Sequence, residues 1–488
     1  MANAQMNMTM FFAYGCSKER IGIRGNARHF LDMVVKFIIA LSTLCIVTIL
    51  WTSTMLASKW IDKQTLNCES GCAKDIGADY AAEELLDSRS ADFSKGEDIY
   101  FPRSDHDCSR IFEDSVYASE KQKAPLILDS SADAAVDASC ETIRNRVLAY
   151  LVPTTKMESD FPIAFVRIVY KDYRLQELLF KLQYAHQNLF CFVIDKKATA
   201  LFKEQMKNLT ECFPNVILAG RQLDVDSAGH NMLSGFLDCL RLLLARPMWK
   251  YAITLQNHDI PLRTNFELVN VLRALNGSND VGVMHTIRDR IPKNNSFTYK
   301  SLRLFKDNSK NDNRPLYITK GSSSCSLSRA FVDFIVNKLN VSIFVELFNK
   351  MYYGVDEMLF STLHSNDDLD APGGYTTQCL QTFSGYITRH VVWKRDQQCK
   401  SGIERHRVCI LGIADLADLE RSRFLFANKM MPDLDYSAVS CWAQRLLNRT
   451  LTQDRSELIN TRYYSRLPVV RFNRDKHTFR RNITPFRC

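Results

Sequence analysis

The sequence predicts an α/β fold around a mostly parallel central sheet, and three observations carry that prediction. Between Phe161 and Met284, short apolar runs alternate with segments of helical periodicity. The runs are apolar at nearly every residue, as strands buried on both faces require. Strand, helix and strand in repeated succession imply parallel pairing through right-handed crossovers.

In chain order, the first strand is Ile163-Ala164-Phe165-Val166-Arg167-Ile168-Val169-Tyr170. A helix over 173–187 follows, with Leu175, Leu178, Leu179 and Leu182 at helical spacing. The second strand covers 189–195 and ends in the carboxylate of Asp195. A helix at 199–209, a strand at 216–219 and a helix at 232–245 come next. A strand at 251–255 runs into Asn257-His258-Asp259, a helix occupies 265–275, and 281–284 reads as a further strand. Ligands of such sheets bind beyond the carboxyl ends of the strands. Asp195 and Asp259 fall at those ends, where carboxylates suit the hydroxyls of a ribose or sugar. No GxGxxG follows the first strand and no GxxxxGK[ST] occurs, so dinucleotide and P-loop readings lack their phosphate cradle.

The flanking segments point to a lumenal protein. Residues 37–58 carry no charge and as a helix span roughly 30 Å, enough for a bilayer core. Lys18, Arg20, Arg24, Arg28 and Lys36 precede this run, against Lys59, Lys63 and Lys74 after it. The bias places the N-terminus in the cytoplasm. The long N-terminal extension argues for a type II signal anchor over a cleaved signal peptide. Residues 1–36 are then a cytoplasmic tail, 37–58 the anchor, 59–107 a stem rich in Ala, Ser, Asp and Glu, and 108–445 the lumenal domain.

Fifteen dispersed cysteines without zinc-ribbon spacing suit disulfides in an oxidising compartment. Cys68 and Cys72 in the stem fit either an inter-chain bridge, making a homodimer, or a local loop. Asn208, Asn276, Asn294, Asn340, Asn448 and Asn482 each begin a glycosylation acceptor pattern. The net charge of +9 gathers in a basic tail over 446–488. In a lumen this reads as a solvated tail, partly docked through Tyr463-Tyr464 and Leu467-Pro468-Val469-Val470, and no nucleic-acid partner is expected.

One acidic stretch stands out. Gly354-Val355-Asp356-Glu357 opens an apolar run of helical character. Anionic side chains are favoured at a helix start. Adjacent helical side chains diverge by about 100°, so one carboxylate can cap while the other faces a cleft. That assigns the cap to Asp356 and the cleft to Glu357; an ordinary capping pair on a surface helix is the plain alternative. A lumenal α/β domain on an anchor and stem suggests a Golgi glycosyltransferase.

The residues themselves resemble the core-2/I-branching β-1,6-N-acetylglucosaminyltransferase family from about Cys108 to Cys441. The resemblance rests on three ordered blocks. They are Trp249-Lys250-Tyr251 leading to Asp259-Ile260-Pro261-Leu262-Arg263-Thr264-Asn265, then Val355-Asp356-Glu357, then Val408-Cys409-Ile410 through Asp415-Leu416 to Leu425-Phe426-Ala427-Asn428-Lys429. Gln256-Asn257-His258 before Asp259 looks like the nematode branch of that family.

The resemblance implies a GT-A-type fold, a UDP-GlcNAc donor, and inverting transfer to a 6-hydroxyl of a glycan acceptor. It implies Glu357 as general base and Lys429 as a cation on the leaving diphosphate, with no metal. The family's arginine position falls on His406, flanked by Arg405 and Arg407, which would share the opposite face of an extended segment. Asp195 fits the uracil- or ribose-side aspartate, and Trp393 a tryptophan lining the acceptor site. The family's acceptor cluster is not recognisable around Arg288-Asp289-Arg290. Asp224-Val225-Asp226 spells a DxD, to which the resemblance gives no metal role. It pairs Cys108 with Cys441, Cys140 with Cys239 and Cys399 with Cys409, leaving the partners of Cys191, Cys212 and Cys379 open. Two relatives within reach of the same residues are a UDP-xylose-using transferase and a catalytically silent, glycan-binding member.

Overall fold

The structure is a computed structural model, which describes residues 106–488 apart from 150, 381–384, 395–398, 453–459 and 485. The expected cytoplasmic tail and anchor, with Cys68, Cys72 and nearly all of the stem, lie outside the described residues. Among the described residues no helix is long and apolar enough to cross a membrane.

Side-chain alternation along the first strand divides the core into two layers. In β1 (Ile163–Val169), Ala164, Val166 and Ile168 join one apolar cluster, while Ile163, Phe165 and Val169 join the other. All seven residues of β1 are buried, including Arg167. β1 pairs in parallel with β2 (Leu189–Ile194) on one side. β3 (Val216–Leu218) pairs in parallel with β2, and β4 (Tyr251–Gln256) in parallel with the other side of β1. Three short strands follow: β5 (Ile260–Pro261), β6 (Met284–His285) and β7 (Thr319–Lys320). β8 (Ser326–Ser328) closes the sheet antiparallel to β4, giving the order β3-β2-β1-β4-β8.

This is a mixed α/β fold with a mostly parallel central sheet. The expected strand at 281–284 is corrected. β8 takes the place beside β4, and only Met284 enters a strand, in the β6–β7 ribbon. The first helix also stops early, at Gln183, where Tyr184 turns extended.

The helix Met232–Leu244 packs on one face of the sheet. Tyr173–Gln183, Ala200–Glu211 and Asn265–Ala274 contribute to the cluster on the opposite face. The last of these starts at a reciprocal cap between Thr264 and Glu267. A second sheet continues from β9 (Arg389–Val391). It is followed by the hairpin of β10 (Glu404–Arg405) and β11 (Val408–Cys409) and then β12 (Phe426–Asn428). β12 lies between β5, antiparallel, and β9, parallel.

The disulfides follow these layers. Cys108–Cys441 and Cys399–Cys409 are joined, but Cys140 bonds Cys212, and Cys239 bonds Cys191. The expected Cys140–Cys239 pair would have to cross the sheet. Cys239 sits in the cluster on one face with Cys191, while Cys212 and the helix of Cys140 pack on the other. Cys379 bonds Cys488. Among the described cysteines only Cys325 is free, and it is buried.

The basic C-terminal segment is not a solvated tail. Tyr464, Leu467, Val469, Val470, Phe472 and Phe486 are buried in the second cluster, and Cys488 is bonded there. Its cations ring an apolar stripe that the domain covers. Of the six glycosylation acceptors none is buried, and Asn276, Asn294, Asn448 and Asn482 are exposed.

Candidate active site

A cleft of about 660 Å³ opens beyond the carboxyl end of β4, where Gln256 lines it. The size is that of a small-ligand site. Glu357, Lys429, Trp393 and His406 all line this cleft, drawn together from four separate segments.

Glu357 ends a single 3-10 turn, Val355–Glu357, which separates it from the helix Leu359–Ser365. Gly354 enters that turn at φ 61°, and a Cβ there would fall 1.6 Å from Arg290 Nη2. The turn is pinned from two sides. Val355 N donates to Ala228 O at 3.1 Å, and Gly321 N donates to Glu357 O at 2.8 Å. Arg290 Nη2 donates to Gly354 O at 2.7 Å and lies 2.8 Å from Glu357 Oε2. Lys320 Nζ is 3.9 Å from the same oxygen.

Asp356 does not cap the helix, because the intervening turn turns its carboxylate inward. It is buried over Gly229, where a Cβ would stand 2.0 Å from Asp356 Oδ1. Burial, then the neighbouring Glu357 charge, push the Asp356 carboxyl up to about 6. The two acidic residues therefore differ: Glu357 is held by Arg290 and Lys320, while Asp356 packs on Gly229 at the edge of the cleft.

Lys429 follows β12 and its carbonyl accepts from Leu411 N at 2.9 Å. Burial, then the nearby Arg405 and Arg389, lower its ammonium to about 8. Arg389 stands on β9, beside β12, and also lines the cleft. Its Nη1 is 3.6 Å from Asp259 Oδ1 and its Nη2 donates to Ser322 Oγ at 3.4 Å. Burial disfavours its charge, but Asp259 together with Tyr386, Asp356 and Cys325 outweighs burial, so the guanidinium is held above its ordinary range. Nε and Nη1 of Arg389 are buried without a hydrogen-bond partner.

Asp259 is fully buried and cannot meet a ligand directly. Its Oδ2 accepts from Gln256 N at 2.7 Å, and its Oδ1 accepts from Asn428 Nδ2 at 2.8 Å. Arg167 reaches its backbone carbonyl at 2.9 Å. The expectation of a sugar-binding carboxylate is corrected: Asp259 is buried, joins β4, β9 and β12, and holds Arg389 and Asn428, the residue before Lys429. Asp195 is likewise buried and does not line the cleft. Its Oδ1 accepts from Lys197 N at 2.8 Å and closes the turn after β2.

The extended segment expected at Arg405-His406-Arg407 is instead a hairpin turn. Arg405 pairs with Val408, and His406 and Arg407 form the two-residue tip at φ 54° and 65°. His406 reaches the cleft, while neither Arg405 nor Arg407 lines it. Arg405 still acts on Lys429 through its charge. Trp393 bridges Val408 across this hairpin, which sets its ring in the cleft wall.

Both carboxylates of the DxD at Asp224 and Asp226 are engaged. Lys197 Nζ bonds Asp224, and His230 Nδ1 lies 2.7 Å from Asp226 Oδ2. Among the described residues no cluster of three or more His, Cys, Asp or Glu side chains is placed to hold a metal ion.

Sequence reasoning missed Arg290, Lys320 and Arg389. The small-residue run Gly321-Ser322-Ser323-Ser324 was a signal for close backbone approach: a Cβ at Gly321 would fall 1.8 Å from Gly282 O. Nothing comparable marked Arg290.

Residues 163–420 match the model of the Core-2/I-Branching enzyme family. A mouse (Mus musculus) β-1,3-galactosyl-O-glycosyl-glycoprotein β-1,6-N-acetylglucosaminyltransferase 4 is 30% identical over 70% of this chain and 79% of its own. A human (Homo sapiens) N-acetyllactosaminide β-1,6-N-acetylglucosaminyl-transferase is 29% identical over 73% of this chain and 88% of its own. The mouse protein of the same name is 33% identical over 62% of this chain and 76% of its own. The match spans the central sheet, the turn of Glu357 and the hairpin of His406, and the chain belongs to the Core-2/I-Branching enzyme family of glycosyltransferases.

Proposed function

We propose that this chain transfers N-acetylglucosamine from UDP-GlcNAc to a 6-hydroxyl of a glycan acceptor, with inversion and without a metal. The observation that carries the reading is the placement of Glu357 and the Lys429–Arg389 pair in one cleft. Glu357 takes the proton from the acceptor hydroxyl as its oxygen attacks the anomeric carbon. The bond to the diphosphate breaks on the opposite face, and negative charge gathers on the leaving UDP. Lys429 and Arg389 meet that charge, with His406 at the rim. Arg389 supplies the guanidinium that the residue at the hairpin tip does not. Trp393 offers its ring to the acceptor.

The resemblance and the relatives' names support the donor and linkage. The uncharged run at 37–58 supports a type II Golgi membrane protein with this domain in the lumen.

The test compares wild type with Glu357→Gln on UDP-GlcNAc and UDP-xylose, each with and without EDTA. Transfer from UDP-GlcNAc that survives EDTA and falls about a hundredfold or more in the variant is the expected result. Transfer from UDP-xylose alone, or loss of activity in EDTA, refutes the donor or the metal-independent chemistry. A variant as active as wild type removes Glu357 as base.

A further inference from the structure

We propose that a second groove beside the catalytic cleft holds the non-reacting part of an extended glycan acceptor; this rests on the transferase reading above. The groove measures about 610 Å³. Tyr386, His390 and Phe424 line both it and the catalytic cleft, so the two spaces share one wall. The groove then runs along the helix Leu416–Arg421 to Tyr463, which the C-terminal segment brings in.

Its lining has the chemistry that binds sugar rings. The rings of His390 and Phe424 lie 5.0 Å apart. Tyr463 is 37% exposed, and the Arg423 guanidinium sits 4.2 Å from its ring centroid, fixing its plane. Between these aromatic surfaces, Asp418 accepts from Lys400 and, at 2.7 Å, from Arg421. Aromatic faces cover the apolar side of a sugar, and held carboxylate, ammonium and guanidinium groups meet its hydroxyls. The donor is accounted for elsewhere, since Lys429 and Arg389 line only the first cleft. A chain whose reacting hydroxyl lies at Glu357 can continue past His390 and Phe424 into the groove.

The experiment uses N-acetyllactosamine oligomers of one to four repeats as acceptors, with Tyr463→Ala and Arg421→Ala as groove variants. Both residues line the groove only. The expected result is a loss of about tenfold in kcat/KM for the longest oligomer, mainly through KM, with the single repeat and UDP-GlcNAc hydrolysis unchanged. Thermal melts of both variants check that the fold is kept, and Arg421 is exposed, so its truncation serves if Tyr463→Ala misfolds. Binding of the same oligomers to Glu357→Gln protein is measured calorimetrically, independent of turnover. Tighter binding of longer oligomers, lost in the groove variants, supports the groove even where no sugar is transferred; that second outcome refutes the transferase reading alone. Equal binding of long and short oligomers overturns the proposal. So does a uniform loss across all acceptors.

Discussion

On the proposed placement of Lys429 at the leaving diphosphate, donor binding weakens as pH rises through about 8, where burial and neighbouring cations lower this ammonium. Burial and the charges of Arg405 and Arg389 bring it down from its ordinary 10.5 to about 8. A diphosphate binds the charged form, so affinity is constant below that pH and weakens as pH rises through it. With a break at about 8, the charged fraction falls from about nine-tenths at pH 7 to about one-tenth at pH 9. UDP affinity should then weaken about tenfold across that interval. Calorimetric titration of UDP from pH 6.5 to 9.5 reads this directly. Lys429→Arg is the control, because a guanidinium keeps its charge throughout. Titration of UDP itself affects both proteins equally and cancels in the ratio. Parallel profiles for wild type and Lys429→Arg between pH 7 and 9.5 would refute the placement of Lys429 on the diphosphate.

Other perturbations separate the parts of the site. Gly229→Ala adds a Cβ 2.0 Å from Asp356 Oδ1 at φ 91°, which costs about 1–3 kcal/mol of stability and displaces the base turn; a denaturant curve reads the first and transfer rate the second. Cys379→Ser opens a bridge between residues 109 apart in sequence. The chain-entropy model sets that loss at about 4–5 kcal/mol, measured as the fall in denaturation midpoint. Asp259→Asn leaves Arg389 and Arg167 buried without their carboxylate, so stability drops by about 3–5 kcal/mol and UDP binding weakens with it. Arg290→Gln removes the guanidinium from both Glu357 Oε2 and Gly354 O; kcat falls while the calorimetric affinity for UDP stays at its wild-type value.

The four parallel strands were legible because each is a short, mostly apolar run, with Arg167 in β1 and Thr254 in β4 the polar residues inside them. Glu357 and Lys429 were legible as cleft residues because family blocks mark them in the chain, and Trp393 because it matches a family tryptophan. What escaped was whatever depends on which face a residue takes. Cys140 and Cys239 match family positions, yet the sheet stands between them, and only alternation along β2 shows that Cys191 faces Cys239. Asp195 and Asp259 end strands, as sugar-binding carboxylates do, but the turns that follow bury both. The C-terminal segment is basic enough to read as solvated; Leu467, Val469 and Val470 pointed to its docking, but not to Phe472, Phe486 and the Cys379–Cys488 bridge that pack it in. His406 and Arg407 lack the glycine or asparagine that usually signals a two-residue hairpin, so the turn left no trace in composition.

The hairpin also explains how the counter-charge is arranged. With φ positive at His406 and Arg407, the pair forms a tip, and the side chain delivered to the cleft is a histidine. A permanent cation must then come from a neighbouring strand. β9 lies in register with β12, Arg389 opposite Phe426, two residues before Asn428 and three before Lys429. Asp259 holds Asn428 by one oxygen at 2.8 Å and faces the Arg389 guanidinium with the same oxygen at 3.6 Å. One buried carboxylate thus engages both Arg389 and the residue before Lys429. On the other side, Arg290 fixes Glu357 through the carbonyl of Gly354. In the proposed reaction, Glu357 and the Lys429–Arg389 pair are therefore each oriented by a neighbouring charge, Arg290 on one side and Asp259 on the other.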